Sequence, residues 1–318
     1  MKIDDVIGDA RTIGISGHVR PDGDCIGSCM GMYLYLRKTY PQIRVDVFLQ
    51  EIPEIYKFIK DSDQIRSDYS TDVDRYDLFI ALDAGKERLG EAERFFDAAV
   101  KTVNIDHHVS NSGTGDENYI VPQASSASEL VTDVIDMGRM DEDIAEALYM
   151  GIICDTGVFK YSNTSPKTMK VGAELISYGF DFGRLIDSVF YEKTYNQNQI
   201  LGRALLESTL FMNGRCIASA VTRQTMEFYQ AKSSDLEGIV SQLMLTSGVD
   251  CAIFMYETGT QEFKVSLRSG GSVNVAEIAQ LFGGGGHARA AGCTMNGTVY
   301  DVINNLSRYI EQQLESKE

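Results

Sequence analysis

Only four histidines occur in this 318-residue chain, His18, His107, His108 and His287, and each lies beside glycine or aspartate at a strand end or turn. The first opens the run His18-Val19-Arg20-Pro21-Asp22-Gly23-Asp24. A hard divalent cation needs carboxylate oxygens and imidazole nitrogens from a sharply turned segment, and Pro21 and Gly23 supply the turn. Leu82-Asp83-Ala84-Gly85 places a second carboxylate at a strand end. Alone it reads equally as a helix cap or a solvated loop residue. Asp106-His107-His108 follows another apolar strand, so one imidazole can bind metal while the other faces a phosphate or acts as an acid. Asp106 is suited to orient an imidazole. Cys154-Asp155-Thr156-Gly157 ends an apolar segment, where Asp155 by itself would be an ordinary turn residue. Together His18, Asp22, Asp24, Asp83, His107 and Asp155 supply enough ligands for two cations.

These residues need a frame that brings strand ends together. The first half alternates short apolar runs with helix-like stretches, the pattern of an open, mainly parallel α/β sheet. Strands are predicted over 12–17, 44–49, 77–82 and 102–105, and helices over 26–38, 126–136, 144–153 and 167–177. Ligands in such sheets bind at the carboxyl ends of strands, where Asp83 and Asp106 fall. The polar, helix-favouring stretch near 187–207 reads as a connecting helix. Beyond it the texture is α+β, with strands near 215–221, 251–256 and 262–268, a helix over 275–282, the glycine run 283–286 and a last helix from Val302. The expected organisation is a metal-binding domain over 1–187, a connecting helix over 188–207 and a smaller domain over 208–318.

The net charge of −17 argues against tracking long or duplex nucleic acid, which relies on many cationic side chains. It leaves room for a small phosphate substrate, because acids gathered to hold cations add to the negative charge. The six cysteines are scattered, with no zinc-type spacing, and read as reduced, buried thiols. With no long apolar run and no signal-like N-terminus, a cytoplasmic protein without membrane association is expected.

The four clusters, in this order, resemble the DHH phosphoesterase superfamily, named for the triplet that stands here as Asp106-His107-His108. Gly283-Gly284-Gly285-Gly286-His287-Ala288-Arg289-Ala290-Ala291-Gly292 is similar to the signature of the DHHA1 substrate domain, and Ser266-Leu267-Arg268-Ser269 to its accompanying strand. Size and layout resemble the NrnA-like group, which includes oligoribonucleases, phosphatases of 3′-phosphoadenosine 5′-phosphate (pAp) and hydrolases of cyclic or linear di-adenosine messengers. Arg20 departs from the small polar residue common before the proline, which touches no ligand.

The resemblance implies two divalent cations, one held by His18, Asp22 and Asp83 and the other by Asp24, Asp83, His107 and Asp155, with Asp83 shared. Manganese suits the mixed shell, and magnesium, cobalt or iron would be accepted. It further implies His108 as the group contacting the scissile phosphate or protonating the leaving oxygen, oriented by Asp106. In the second domain, backbone N–H groups of Gly284, Gly285 and Gly286 could approach an anion unobstructed, with Arg268, His287 and Arg289 adding charge-assisted bonds. The site is then expected in the cleft between domains, and Phe282 and Tyr161 are two aromatics that could stack on a base. Short RNA or pAp is the expected substrate. A cyclic-di-AMP or pApA phosphodiesterase is the alternative. Pyrophosphatase or polyphosphatase activity fits less well with the glycine-rich segment, and a non-catalytic nucleotide-binding module would predict a substituted ligand. A homodimer is compatible with such hydrolases.

Overall fold

Short apolar runs bounded by turn residues form the strands of the first unit, and alternation along them decides which face each residue covers. The computed structural model describes residues 1–316 in two compact units, Met1–Glu192 and a second beginning at Lys193. The first contains α1 (Ile3–Ile7), β1 (Thr12–Ser16), α2 (Gly23–Thr39), β2 (Arg44–Phe48), β3 (Leu78–Leu82), α3 (Glu93–Ala98), β4 (Lys101–Asp106), β5 (Glu117–Ile120), α4 (Ala127–Val134), α5 (Glu142–Thr156), α6 (Pro166–Ile176) and α7 (Phe182–Ile186). Its five strands are all parallel, in the order β2-β1-β3-β4-β5. Along β3, Leu78, Ile80 and Leu82 enter the core shared with α2, α4 and α5, whereas Phe79 and Ala81 enter a second core with Phe48, Tyr76 and Phe96. Both faces are thus covered, as parallel sheets require.

Helices α2 and α5 meet where neither has a side chain. A Cβ at Gly27 would lie 2.6 Å from the Ala147 carbonyl oxygen and 2.9 Å from the Gly151 Cα, so only glycine permits this approach. The crossing sits one turn after Asp24 and one turn before Asp155, and so draws those two acids together.

The second unit contains α8 (Tyr195–Leu206), β6 (Thr209–Phe211), β7 (Cys216–Val221), α9 (Arg223–Phe228), α10 (Ile239–Met244), β8 (Cys251–Gly259), β9 (Glu262–Ser269), α11 (Val275–Leu281), β10 (Gly285–His287), β11 (Ala290–Asn296) and α12 (Val299–Glu315). Its sheet, ordered β10-β11-β9-β8-β7-β6, is mixed, with β7 and β8 its parallel pair. Val265, Leu267 and Cys293 face α11 and α12, and Ala252 and Phe254 face α8 and α10.

Several expectations are corrected. The helix expected from Ile26 starts at Gly23, because Asp22 caps it by accepting from the Asp24 and Cys25 N–H groups. In place of one helix over 187–207, a π turn over Asp187–Tyr191 ends and α8 begins at Tyr195, where Thr194 and Gln197 form a reciprocal capping box. The glycine run is partly a strand: Gly285, Gly286 and His287 pair with Gly292, Ala291 and Ala290. Among the described residues, no helix is long and apolar enough to cross a membrane.

Candidate active site

At the carboxyl ends of β1, β3 and β4 the chain gathers three of its histidines, His18, His107 and His108, and several aspartates around Asp83. Asp83 follows β3 with a left-handed φ of 58°, unusual for a residue with a side chain. Its N–H donates to the Ile105 carbonyl at 3.0 Å, and buried Asn104 holds the Ala84 carbonyl at 2.7 Å. Strain of this kind persists where the surroundings over-determine it. The result is a carboxylate only 2% exposed that faces an imidazole with each oxygen. Asp83 Oδ2 lies 3.3 Å from His18 Nε2, and Oδ1 lies 3.3 Å from His107 Nε2.

Around His18, Asp22 Oδ1 stands 3.6 Å from Nε2. The His18 Nδ1 is 2.9 Å from the Val19 carbonyl, and donating there leaves Nε2, which faces the acids, as the nitrogen that would bind a cation in place of a proton. Around His107 Nε2, Asp155 Oδ2 is 3.4 Å and Asp24 Oδ2 3.8 Å away. Asp155 was expected in a turn but lies in the last turn of α5, which stops at Gly157 in the left-handed conformation. The structure thus brings His18, Asp22 and Asp83 into one group and Asp24, Asp83, His107 and Asp155 into another.

Asp22, Asp24 and Asp106 are held by backbone donors. Asp24, 1% exposed, accepts from the N–H groups of Ala127 and Ser128 at 2.6 and 2.9 Å, so the positive end of α4 fixes its carboxylate. Asp106 Oδ1 accepts from the His107 and His108 N–H groups and lies 2.7 Å from His108 Nδ1, while its Oδ2 accepts from Asn111 at 2.7 Å. Asp106 therefore orients His108. Asn163 donates from Nδ2 to the carbonyls of both Ser125 and Asp155, at 2.9 and 3.1 Å, tying the segment that holds Asp24 to the end of α5. The clamps from Ala127, Ser128, Asn104, Asn111 and Asn163 were not anticipated. Only the capping serine Ser126, three residues before Glu129, carries a local signal of the α4 start.

The charge balance favours cations. Burial, reinforced by repulsion from Asp83 and Asp155, holds the Asp24 carboxyl well above the usual range. Burial also lifts Asp155 to about 6, against the pull of His107. Burial would depress His18 and His107, but Asp22 and Asp83 raise His18 to about 11, and Asp83 and Asp24 raise His107 to about 9. Protons and divalent cations compete for the same atoms, so acids this crowded are satisfied by a concentrated positive charge. Asp83 Oδ1, buried with no hydrogen-bond donor, marks where one fits. The mixed imidazole and carboxylate donors match a hard or borderline divalent ion.

In the second unit, Arg268 pairs with Ala290, which in turn pairs with His287, so the two basic residues lie on one sheet face. His287 and Arg289 are exposed. The glycines differ in purpose: a Cβ at Gly284 or Gly286 would strike β11, whereas Gly285 faces open space.

A parallel sheet with these donors at its strand ends defines a phosphoesterase of the metal-dependent class. Residues 12–152 match the DHH family, N-terminal domain, and residues 213–316 match the DHHA1 domain. The chain is 31% identical over 293 residues to the bifunctional oligoribonuclease and PAP phosphatase NrnA of Bacillus subtilis (strain 168), covering 89% of each protein. It is 28% identical to the protein of that name from Thermus thermophilus, covering 91% of this chain and 86% of the relative. The crystal structure of an exopolyphosphatase-related protein from Bacteroides fragilis superposes with a TM-score of 0.83 at 25% identity, over 99% of this chain and 96% of that one. The chain belongs to the DHH/DHHA1 phosphoesterase family, within its NrnA-like group.

Proposed function

We propose that this phosphoesterase hydrolyses short oligoribonucleotides and pAp, using two divalent cations that share Asp83. The observation that carries this reading is the Asp83 carboxylate, set between His18 and His107 with its Oδ1 otherwise unpartnered. His18, Asp22 and Asp83 would hold one cation, and Asp24, Asp83, His107 and Asp155 the other, with manganese suited to both donor sets. When bound, such a pair supplies a hydroxide at neutral pH and neutralises phosphate oxygens.

The chain's own groups do the rest. Asp106 holds His108 at Nδ1 and favours its protonated form, which would suit His108 to deliver a proton to the leaving oxygen from Nε2. Arg268, His287, Arg289 and the backbone of Gly285 and Gly286 would take a non-scissile phosphate, with arginine binding in its forked geometry; Gly284, expected to offer its N–H as well, instead donates it to the Ala279 carbonyl at 2.9 Å. That added anion site favours a nucleotide bearing two phosphates, in keeping with the names of the NrnA relatives. All six cysteines are free, which supports placement in the reducing cytoplasm.

The test is hydrolysis by metal-stripped protein reconstituted with Mn2+, offered pAp, pApA, RNAs of about two to five and about twenty nucleotides, cyclic di-AMP, pyrophosphate and polyphosphate. Preference for pAp and the shortest RNAs is expected. Polyphosphate enters because of the Bacteroides fragilis likeness, and faster turnover of it or of pyrophosphate would overturn the nucleotide reading.

A further inference from the structure

Immediately after Asp155 the backbone makes an uncommon turn. Gly157, Val158 and Phe159 have φ of 56°, 57° and 60°, three consecutive left-handed residues, of which one is β-branched. Side chains disfavour that region, so such a run persists only where contacts impose it. Here Val158 and Phe159 pack on the core of the first unit. The Val158 N–H donates to the Ile153 carbonyl at 2.9 Å, and the Lys160 and Tyr161 N–H groups both donate to the Thr156 carbonyl, at 2.9 and 2.8 Å. Asn163 then fastens the far end of the segment to the Asp155 and Ser125 carbonyls.

This strap holds one aromatic ring in the open. Tyr161 folds back onto Gly157, where a Cβ would sit 2.5 Å from the ring Cζ and 2.6 Å from Cε2, so the glycine is what lets the ring lie there. Tyr161 remains 57% exposed although its backbone is tied down a few residues past a candidate metal ligand. The other aromatic suggested by the sequence is differently placed. Phe282 is half-buried, meets Tyr309 edge-on with centroids 5.8 Å apart and packs on the core of the second unit.

We propose that Tyr161 is a nucleobase platform, stacking on the base of the nucleotide whose phosphate is cleaved. The inference rests on the proposed nucleotide substrate and deepens it: an exposed ring laid against Gly157, two residues past Asp155, binds any base through its π face, giving affinity without base identity. Phe282 is excluded from that role by its packing. Tyr161 itself is a substrate-binding residue and takes no part in proton transfer.

The experiment compares wild type, Tyr161→Ala and Tyr161→Phe on pApA and on the same dinucleotide lacking both bases, alongside Mn2+ binding by each protein. Stacking on one base corresponds to about a tenfold change in affinity. Tyr161→Ala should raise KM for pApA about tenfold with kcat within about twofold, leave the baseless substrate unaffected and keep Mn2+ affinity. Tyr161→Phe should match wild type. An unchanged KM for pApA in the alanine variant, or an equal loss on the baseless substrate, would overturn the platform. If wild type hydrolyses neither dinucleotide, the nucleotide reading fails instead.

Should Tyr161→Ala not fold, Tyr161→Trp gives an independent readout, because the chain has no other tryptophan. Its emission should be quenched saturably by a methylene-phosphonate analogue of pApA and not by inorganic phosphate. Equal quenching by both, or none by the dinucleotide, counts against the platform.

Discussion

The donors at the strand ends of the first unit and the basic residues on the sheet of the second are built in opposite ways. Asp22, Asp24 and Asp106 each accept from two backbone N–H groups, Asp83 sits at a strained φ pinned by Asn104, and most of the set is buried. His287 and Arg289, by contrast, stand exposed on a short edge hairpin. Cations tolerate little misplacement of their ligands, so their site is fixed before they bind. A flexible polyanion is better met by long cationic side chains that remain hydrated until it arrives.

That contrast predicts unequal consequences of mutation. Asp83→Ala removes the one carboxylate facing both imidazoles, and turnover should fall at least about a thousandfold, about 4 kcal/mol of barrier. Steady-state kinetics at saturating Mn2+, with circular dichroism to verify folding, measures this. Near-normal turnover by a folded variant would remove the shared ligand from the scheme. Metal removal should act on stability in the same place. Mn2+ at about 100 times its Kd should stabilise the first unit by about 2.7 kcal/mol per site, and calorimetry should show the transition of the second unit unmoved by chelator. An equal shift of both transitions would erase the contrast.

Asn163→Ala should lower metal affinity about 10- to 100-fold, the usual effect of losing a group that orients ligands. It leaves every ligand in place, so Mn2+ titration sharpens the claim that the ends of the loop and helix must be tied. If Asn163 only stabilises the fold, melting temperature would fall and affinity would not. The smallest effect belongs to the exposed set: Arg289→Ala should raise KM about tenfold for pAp with kcat nearly unchanged. A matching loss in kcat would mean that the basic face contributes to the transition state as well.

The sequence exposes the strand-end residues because apolar runs such as Leu78–Leu82 are short, alternate in neither polarity nor charge, and end abruptly in Asp or His. The parallel sheet was legible for the same reason. What supports the donors was not. Asp24 is held by Ala127 and Ser128, more than a hundred residues away, and nothing local to either end signals that meeting. Asn163 and Asn104 look like ordinary polar residues until the chain is folded. The glycines hid a strand: Gly285 and Gly286 have no side chains to show alternation, and their place beside β11 follows from the close approach that Gly284 and Gly286 allow. Likewise, polar composition over 187–207 suggested one helix, although Thr194 and Gln197 carry a capping signal that restarts it.

Electron paramagnetic resonance of a Mn2+ titration tests the shared carboxylate most directly, independently of any substrate. A bridging Asp83 predicts two Mn2+ per chain with an exchange-coupled spectrum, and loss of that coupling in Asp83→Ala. A fully active wild-type protein that binds a single Mn2+, or two without coupling, would contradict the shared centre.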